Sequence, residues 1–259
     1  MSDFFDTLAK DAKTTIDSGY YYQTLTNQNH PKISLKQAIQ NCKTNPLITE
    51  IKPASPSAGI IRPDINIPQL AQAMQKGGAV GISVLTEPKH FHATLTNLTK
   101  TRQTTKLPLL MKDFILSPIQ IDAAANLGAN AILLIQTLFD RGYGQMNLAD
   151  LIKYAHNRKL EVLLETHSET EFLNASQTHA DLIGINNRDL ATLKINLEIT
   201  KQILEKHKKP SQPIISESGI QTAADLQFLR SCGADAFLIG SSIMLTQDVE
   251  TKVKEFVKA

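Results

Sequence analysis

Five ionisable residues stand where apolar runs end. Glu50 and Lys52 close "LITEIK" from position 47, Lys112 closes "LPLLMK" from 107, Glu165 ends the apolar part of "EVLLET" from 161, and Glu217 that of "PIISES" from 213. Side chains alternate along an extended strand, so Glu50 and Lys52 share one side and Ile51 takes the other. Taken alone, that pair also fits an exposed ion pair worth less than about 1 kcal/mol. Gathered into one partly desolvated space, three acids and two lysines would separate one another's pKa values and supply general acids and bases.

Other run ends carry different chemistry. Asn186 ends "DLIGIN", with Arg188 just beyond it, and Asp113 follows Lys112. "SESGI" and "LIGSS" place Ser218, Gly219, Gly240 and Ser241 after two late runs. Glycine lets a backbone approach an anion and serine adds a hydroxyl donor, so these exits point to a phosphorylated small molecule. The "HFH" at 90–92 offers two histidines without a third ligand and reads as surface, and "GYYY" at 19–22 reads as packing. Neither metal nor cofactor is needed to explain the polar set.

The elements that must position these groups are legible in outline. With "GISVLT" from 81 and "AILLIQ" from 131, the apolar runs number eight, and most are almost continuously apolar, as expected of parallel strands covered on both faces. Helical patterns alternate with them. Ser117 and Pro118 start one, Ser168 and Glu171 form a capping box for another, and Thr222 with Asp225 opens a third. "GGAVGISV", "GANAILLI" and "GADAFLIG" repeat a glycine helix stop before a buried strand. Eight such units predict an α/β fold, a closed (β/α)8 TIM barrel, whose strands deliver functional residues at their C-terminal ends. Helices expected around 3 to 16 and 34 to 42, with the polar loop "TNQNHPK" between them, make residues 1–46 an N-terminal helical extension on a single domain spanning 1–259.

Composition narrows the partners. A chain of 259 residues, 42% hydrophobic, can bury a large core, and its formal charge of +2 calls for neither nucleic acid nor a membrane surface. The densest basic stretch, "EKHKKP" at 205–210, reads as a solvated helix end. Cys42 and Cys232 form no metal motif or disulfide framework, no apolar run approaches the roughly 20 residues of a membrane helix, and the N-terminus lacks a signal-peptide core. A cytoplasmic location is expected. Protein partners are not specified.

The motifs together resemble the indole-3-glycerol phosphate synthase family. The likeness rests on "EIKPASPSAG", "SVLTEPKHF", "LMKDFI", "GANAILLI", "LLETHSETE", "GINNRDL", "ISESGI" and "LIGSSIM", in family order from about 47 to 245. The resemblance implies a carbon–carbon lyase of tryptophan biosynthesis. It converts 1-(2-carboxyphenylamino)-1-deoxy-D-ribulose 5-phosphate to indole-3-glycerol phosphate by ring closure, decarboxylation and dehydration. It further implies Lys112 as the general acid for ring closure, Glu165 in acid–base work, and Glu50 with Lys52 in the later steps. Asn186 and Glu217 would complete the catalytic set. Arg188 would meet the anthranilate carboxylate, Phe91 and Phe114 its ring, and Ser218, Gly219, Gly240 and Ser241 the phosphate; Ser55 and Ser57 would lie in the loop above Glu50 and Lys52. The chain departs from the family in reading "FHAT" where a Gly-Ser pair often follows Phe91, and in carrying Ala58 where lysine is frequent. A sugar-phosphate isomerase on the same barrel and a catalytically silent scaffold are the alternative readings.

Overall fold

The computed structural model describes residues 3–22, 30–56, 58–189 and 192–259. Each expected apolar run forms a strand: β1 (Leu47–Ile51), β2 (Gly81–Leu85), β3 (Leu109–Lys112), β4 (Ala131–Ile135), β5 (Glu161–Thr166), β6 (Leu182–Asn186), β7 (Ile214–Glu217) and β8 (Ala236–Ile239). They close in sequence order, β8 returning to β1, with every pairing parallel. This is the expected (β/α)8 barrel. Only Glu161 and Lys112 among the strand residues escape full burial, one at the start of β5 and the other at the end of β3. Continuous apolar strands are thus covered by side chains within and helices without.

The glycine stops do what their spacing predicts. Gly78, Gly128 and Gly233 all take left-handed φ values, 96°, 90° and 105°, where a Cβ is costly, and each turns the chain from a helix toward its strand. Thr222 and Asp225 make the expected reciprocal cap. Ser168 and Glu171 make half of one. Ser168 accepts from the Glu171 N–H, while the Glu171 carboxylate accepts from the His167 N–H at 2.8 Å instead of closing the box.

The N-terminal helices pack on the same core. In α1 (Phe4–Asp17), Phe5, Leu8, Ala9, Ala12, Thr15 and Ile16 form a buried stripe at helical spacing, and Asp3 with Asp6 caps its start. The second helix, α2 (Leu35–Gln40), is shorter than the run around 34 to 42, because Ser34 is its cap and Asn41 its end. Glu161 at the foot of β5 accepts from the Leu35 and Lys36 N–H groups at 2.8 and 3.0 Å, placing an anion at the helix N-terminus. Tyr20 and Tyr21 pack edge to face at 5.0 Å, which is the packing role read for "GYYY", and most of "TNQNHPK" lies outside the described residues.

Candidate active site

The C-terminal ends of the strands open into a cavity of about 290 Å³. Strand register sets its floor. Lys112 is level with Leu85 and Glu165 with Ile135, each polar end beside apolar wall, whereas Asn186 is level with Glu217 and the two put polar groups side by side. Glu50, Lys52, Lys112, Glu165, Asn186, Arg188, Phe91, Phe114, Ser55, Ser218, Gly219, Gly240 and Ser241 all line the cavity. Glu217 lies beneath them, fully buried. Its position is fixed by Lys112.

The pair at the end of β1 is not an exposed surface bridge, for Glu50 is buried and the Lys52 side chain largely covered. Glu50 is 2% exposed; its Oε1 lies 2.9 Å from Lys52 Nζ and its Oε2 3.2 Å from Lys112 Nζ. Lys112 also donates to Glu217 Oε2 at 3.2 Å. Burial would raise the Glu50 pKa, yet the two ammonium groups hold it down to about 2. Lys112 loses solvation too, but Glu50, Glu217 and Glu165 together push its pKa above the usual lysine value. Glu217 goes the other way: burial and the neighbouring Glu165 and Glu50 charges outweigh Lys112 and push it up to about 8. Glu50 and Glu217, both beside Lys112, thus hold different protonation states at neutral pH.

Close approach at β8 requires a glycine. A Cβ on Gly240 would lie 2.5 Å from Glu50 Oε1 and 3.1 Å from Lys52 Nζ, so any larger residue would displace the pair. Beyond it, Ser241 and Ser242 open a short helix (Ser241–Met244), and across the rim Ser218 and Gly219 both hold left-handed φ values, 66° and 88°. Successive N–H groups at such a turn and helix start suit an anion.

Asn186 donates from Nδ2 to Glu165 Oε1 at 3.0 Å, and His167 Nε2 lies 3.1 Å from the same oxygen. Burial would raise Glu165, but His167, Lys112 and Asn186 hold it down to about 2. Arg188 is fixed in turn: its N–H donates to Asn186 Oδ1, and Nη1 donates to the Leu193 carbonyl at 3.0 Å.

The loop after β2 is shaped by an acid the sequence reading did not single out. The Glu87 carboxylate accepts from the N–H groups of Lys89, His90 and Phe91, setting Phe91 with its ring 6.1 Å from Phe114. His90 pairs with Asp11 of α1 at 3.0 Å. In the "FHAT" departure, His92 adopts φ 49°, a region glycine enters more cheaply. The loop after β1 folds back as a small hairpin of Ala54–Ser55 and Gly59–Ile60, with the Ser55 hydroxyl accepting from the Ala58 N–H at 3.2 Å. Ser57 lies outside the described residues.

Asp113 follows Lys112 and also lines the cavity, but its carboxyl has other partners. Its carboxyl accepts from the hydroxyls of Tyr21 at 3.0 Å and Thr86 at 2.6 Å, and burial pushes its pKa up to about 7. Phe4 and Leu8 of α1 also line the cavity, an arrangement that only tertiary packing reveals.

A family model described as indole-3-glycerol phosphate synthase matches residues 8–256. The chain belongs to that family. The indole-3-glycerol phosphate synthase of Methanocaldococcus jannaschii is 45% identical over 231 residues, covering 87% of this chain and 84% of the relative. That of Desulforamulus reducens is 40% identical over 229 residues, covering 88% and 85%. The barrel also superposes on a thiamine phosphate pyrophosphorylase from Pyrococcus furiosus with a TM-score of 0.61 at 19% identity, over 86% of this chain and 96% of that one. At that identity the likeness supports the fold alone. The family carries the reaction expected from the motifs, a carboxy-lyase step in tryptophan biosynthesis that ends in indole-3-glycerol phosphate.

Proposed function

We propose that the synthase reaction is divided among the side chains of the mouth as follows. The ribulose phosphate sits on Ser218, Gly219, Gly240 and Ser241, and the anthranilate ring lies against Phe91 and Phe114 with its carboxylate toward Arg188. Ser55 flanks the sugar from the loop above. Lys112, as the ammonium, donates a proton to the sugar carbonyl oxygen while the aromatic carbon attacks the carbonyl carbon. Carbon dioxide then leaves with its bonding electrons returned to the ring.

Dehydration needs an acid for the departing hydroxyl and a base for the ring proton. Lys52, held by Glu50, supplies the first; Glu165, ionised and oriented by Asn186, accepts the second. Glu217 keeps Lys112 in place and, carrying a proton, adds no second full negative charge beside it. The chain works as one domain in the reducing cytoplasm, with α1 and α2 of its N-terminal extension covering part of the barrel.

The observation that carries this reading is the Lys112 ammonium, held 3.2 Å from both Glu50 and Glu217 beside the cavity wall. Incubating the purified chain with 1-(2-carboxyphenylamino)-1-deoxy-D-ribulose 5-phosphate should produce indole fluorescence. Absence of that signal across pH 5 to 9 would refute the reading.

A further inference from the structure

Glu165 differs from Glu50 and Glu217, for it makes no ion pair with a lysine among the described residues. Its cationic contact is His167 Nε2 at 3.1 Å, and the His167 side chain is only 9% exposed. The other ring nitrogen, Nδ1, faces Glu171 Oε2 at 3.7 Å. Glu171 is itself anchored, accepting from Thr137 Oγ1 at 2.8 Å and from the His167 N–H at 2.8 Å. Here the half-made helix cap finds its use: the carboxylate that would have closed the box is turned toward the imidazole.

We infer that His167 is a positioning residue, an imidazolium clamped between Glu165 and Glu171 that fixes Glu165 through Oε1 and keeps it ionised. The inference rests on Glu165 acting as the base. With Asn186 and His167 both on Oε1, Oε2 accepts no hydrogen bond among the described residues and is left for proton transfer. Neither ring nitrogen makes a well-aligned hydrogen bond, so the hold is chiefly electrostatic.

The surroundings support a charged ring. Burial disfavours the imidazolium, but Glu165 and Glu171 raise its pKa to about 9. From α1 the Phe5 ring stands edge-on at 5.4 Å; Arg141 lies beyond that ring and is neutralised by Asp3 and Asp6. Lys112 also acts on Glu165 and is itself paired with Glu50 and Glu217. Two carboxylates therefore face the imidazole directly, and Arg141 behind Phe5 has its own partners.

The test compares pH profiles of kcat in His167→Gln, Glu171→Gln and Glu165→Gln. His167→Gln should lower kcat about tenfold or more at pH 7 with KM within about twofold, and move the acid limb up by about one pH unit, because Glu165 then ionises with less help. Glu171→Gln, altered outside the cavity, should leave KM unchanged and move the alkaline limb down by about one unit, because the imidazole loses a proton-holding partner. Imidazole nitrogen resonances of labelled protein should show His167 titrating near 9 in the parent and lower in Glu171→Gln. Superimposable pH profiles in the folded variants overturn the inference, and Glu171→Gln decides it if His167→Gln does not fold. Near-normal turnover in Glu165→Gln would instead remove the reading on which the inference rests.

Discussion

Glu50 sits between two ammonium groups, whereas Glu165 sits beside one imidazole. Both carboxylates are buried and both are held down to about 2, yet the means differ. A lysine keeps its charge through the neutral range; an imidazole raised to about 9 gives it up within reach of ordinary buffers. The lysine half of the mouth should therefore set the size of the rate, and the imidazole half its dependence on pH. Glu217 belongs to the lysine half by contact but carries a proton near neutrality, which lets one ammonium serve two acids without an excess of buried negative charge.

The comparison is broken most directly at Lys112. Removing it as Lys112→Ala takes away the donor for ring closure and leaves Glu50 with Lys52 alone. Turnover should fall about a thousandfold or more, equivalent to about 4 kcal/mol of transition-state stabilisation. Circular dichroism should show the barrel intact, since Glu217 can remain protonated. Turnover within about tenfold of the parent would place the general acid elsewhere. In the imidazole half, Glu165→Gln preserves shape and the contact with Asn186 but cannot accept a proton; a loss of about a hundredfold in kcat is expected, with KM little changed.

A smaller effect sharpens the lysine half alone. Gly240→Ala would bring a methyl group against Glu50 Oε1 and Lys52 Nζ without removing either charge. A drop of about tenfold in kcat/KM is expected, because misplacement by a fraction of an ångström is enough to spoil proton transfer. The alkaline limb governed by His167 should stay where it is. Movement of that limb would mean that the two halves are coupled more tightly than their separate contacts suggest.

These residues also show how far a sequence reaches. Glu50, Lys52, Lys112, Glu165 and Glu217 were readable because continuous apolar runs mark parallel strands, and a polar residue at the end of such a run has one place to go. His167 stood in plain view in "LLETH" but breaks no pattern, and its role depends on Glu171 turning away from the helix cap that its spacing suggests. Phe4 and Leu8 belong to a buried helical stripe, so nothing in their periodicity separates the residues that pack from those that reach the cavity. Asp113 followed Lys112 into the reading of the mouth and does line the cavity, but its carboxyl is held by Tyr21 and Thr86, partners that no spacing in the sequence announces.

The mildest perturbation reads both halves through stability. Glu217 is raised from 4.5 to about 8 on folding, so its contribution is complete below pH 4.5 and is lost as pH rises toward 8. His167 is raised from 6.5 to about 9, so its contribution is complete below 6.5 and is lost as pH rises through 9. Glu50 and Glu165, lowered from 4.5 to about 2, stabilise above 4.5 and lose that contribution as pH falls toward 2. Urea unfolding of the parent should therefore show stability declining between pH 5 and 9. Glu217→Gln should flatten the decline between pH 5 and 6.5, where the imidazole does not yet titrate, by on the order of 1 kcal/mol. His167→Gln should leave that segment sloping and flatten the one above pH 8. If Glu217→Gln flattens nothing below pH 6.5, the proton lies elsewhere in the lysine half, and Glu50 is the next carboxyl to replace.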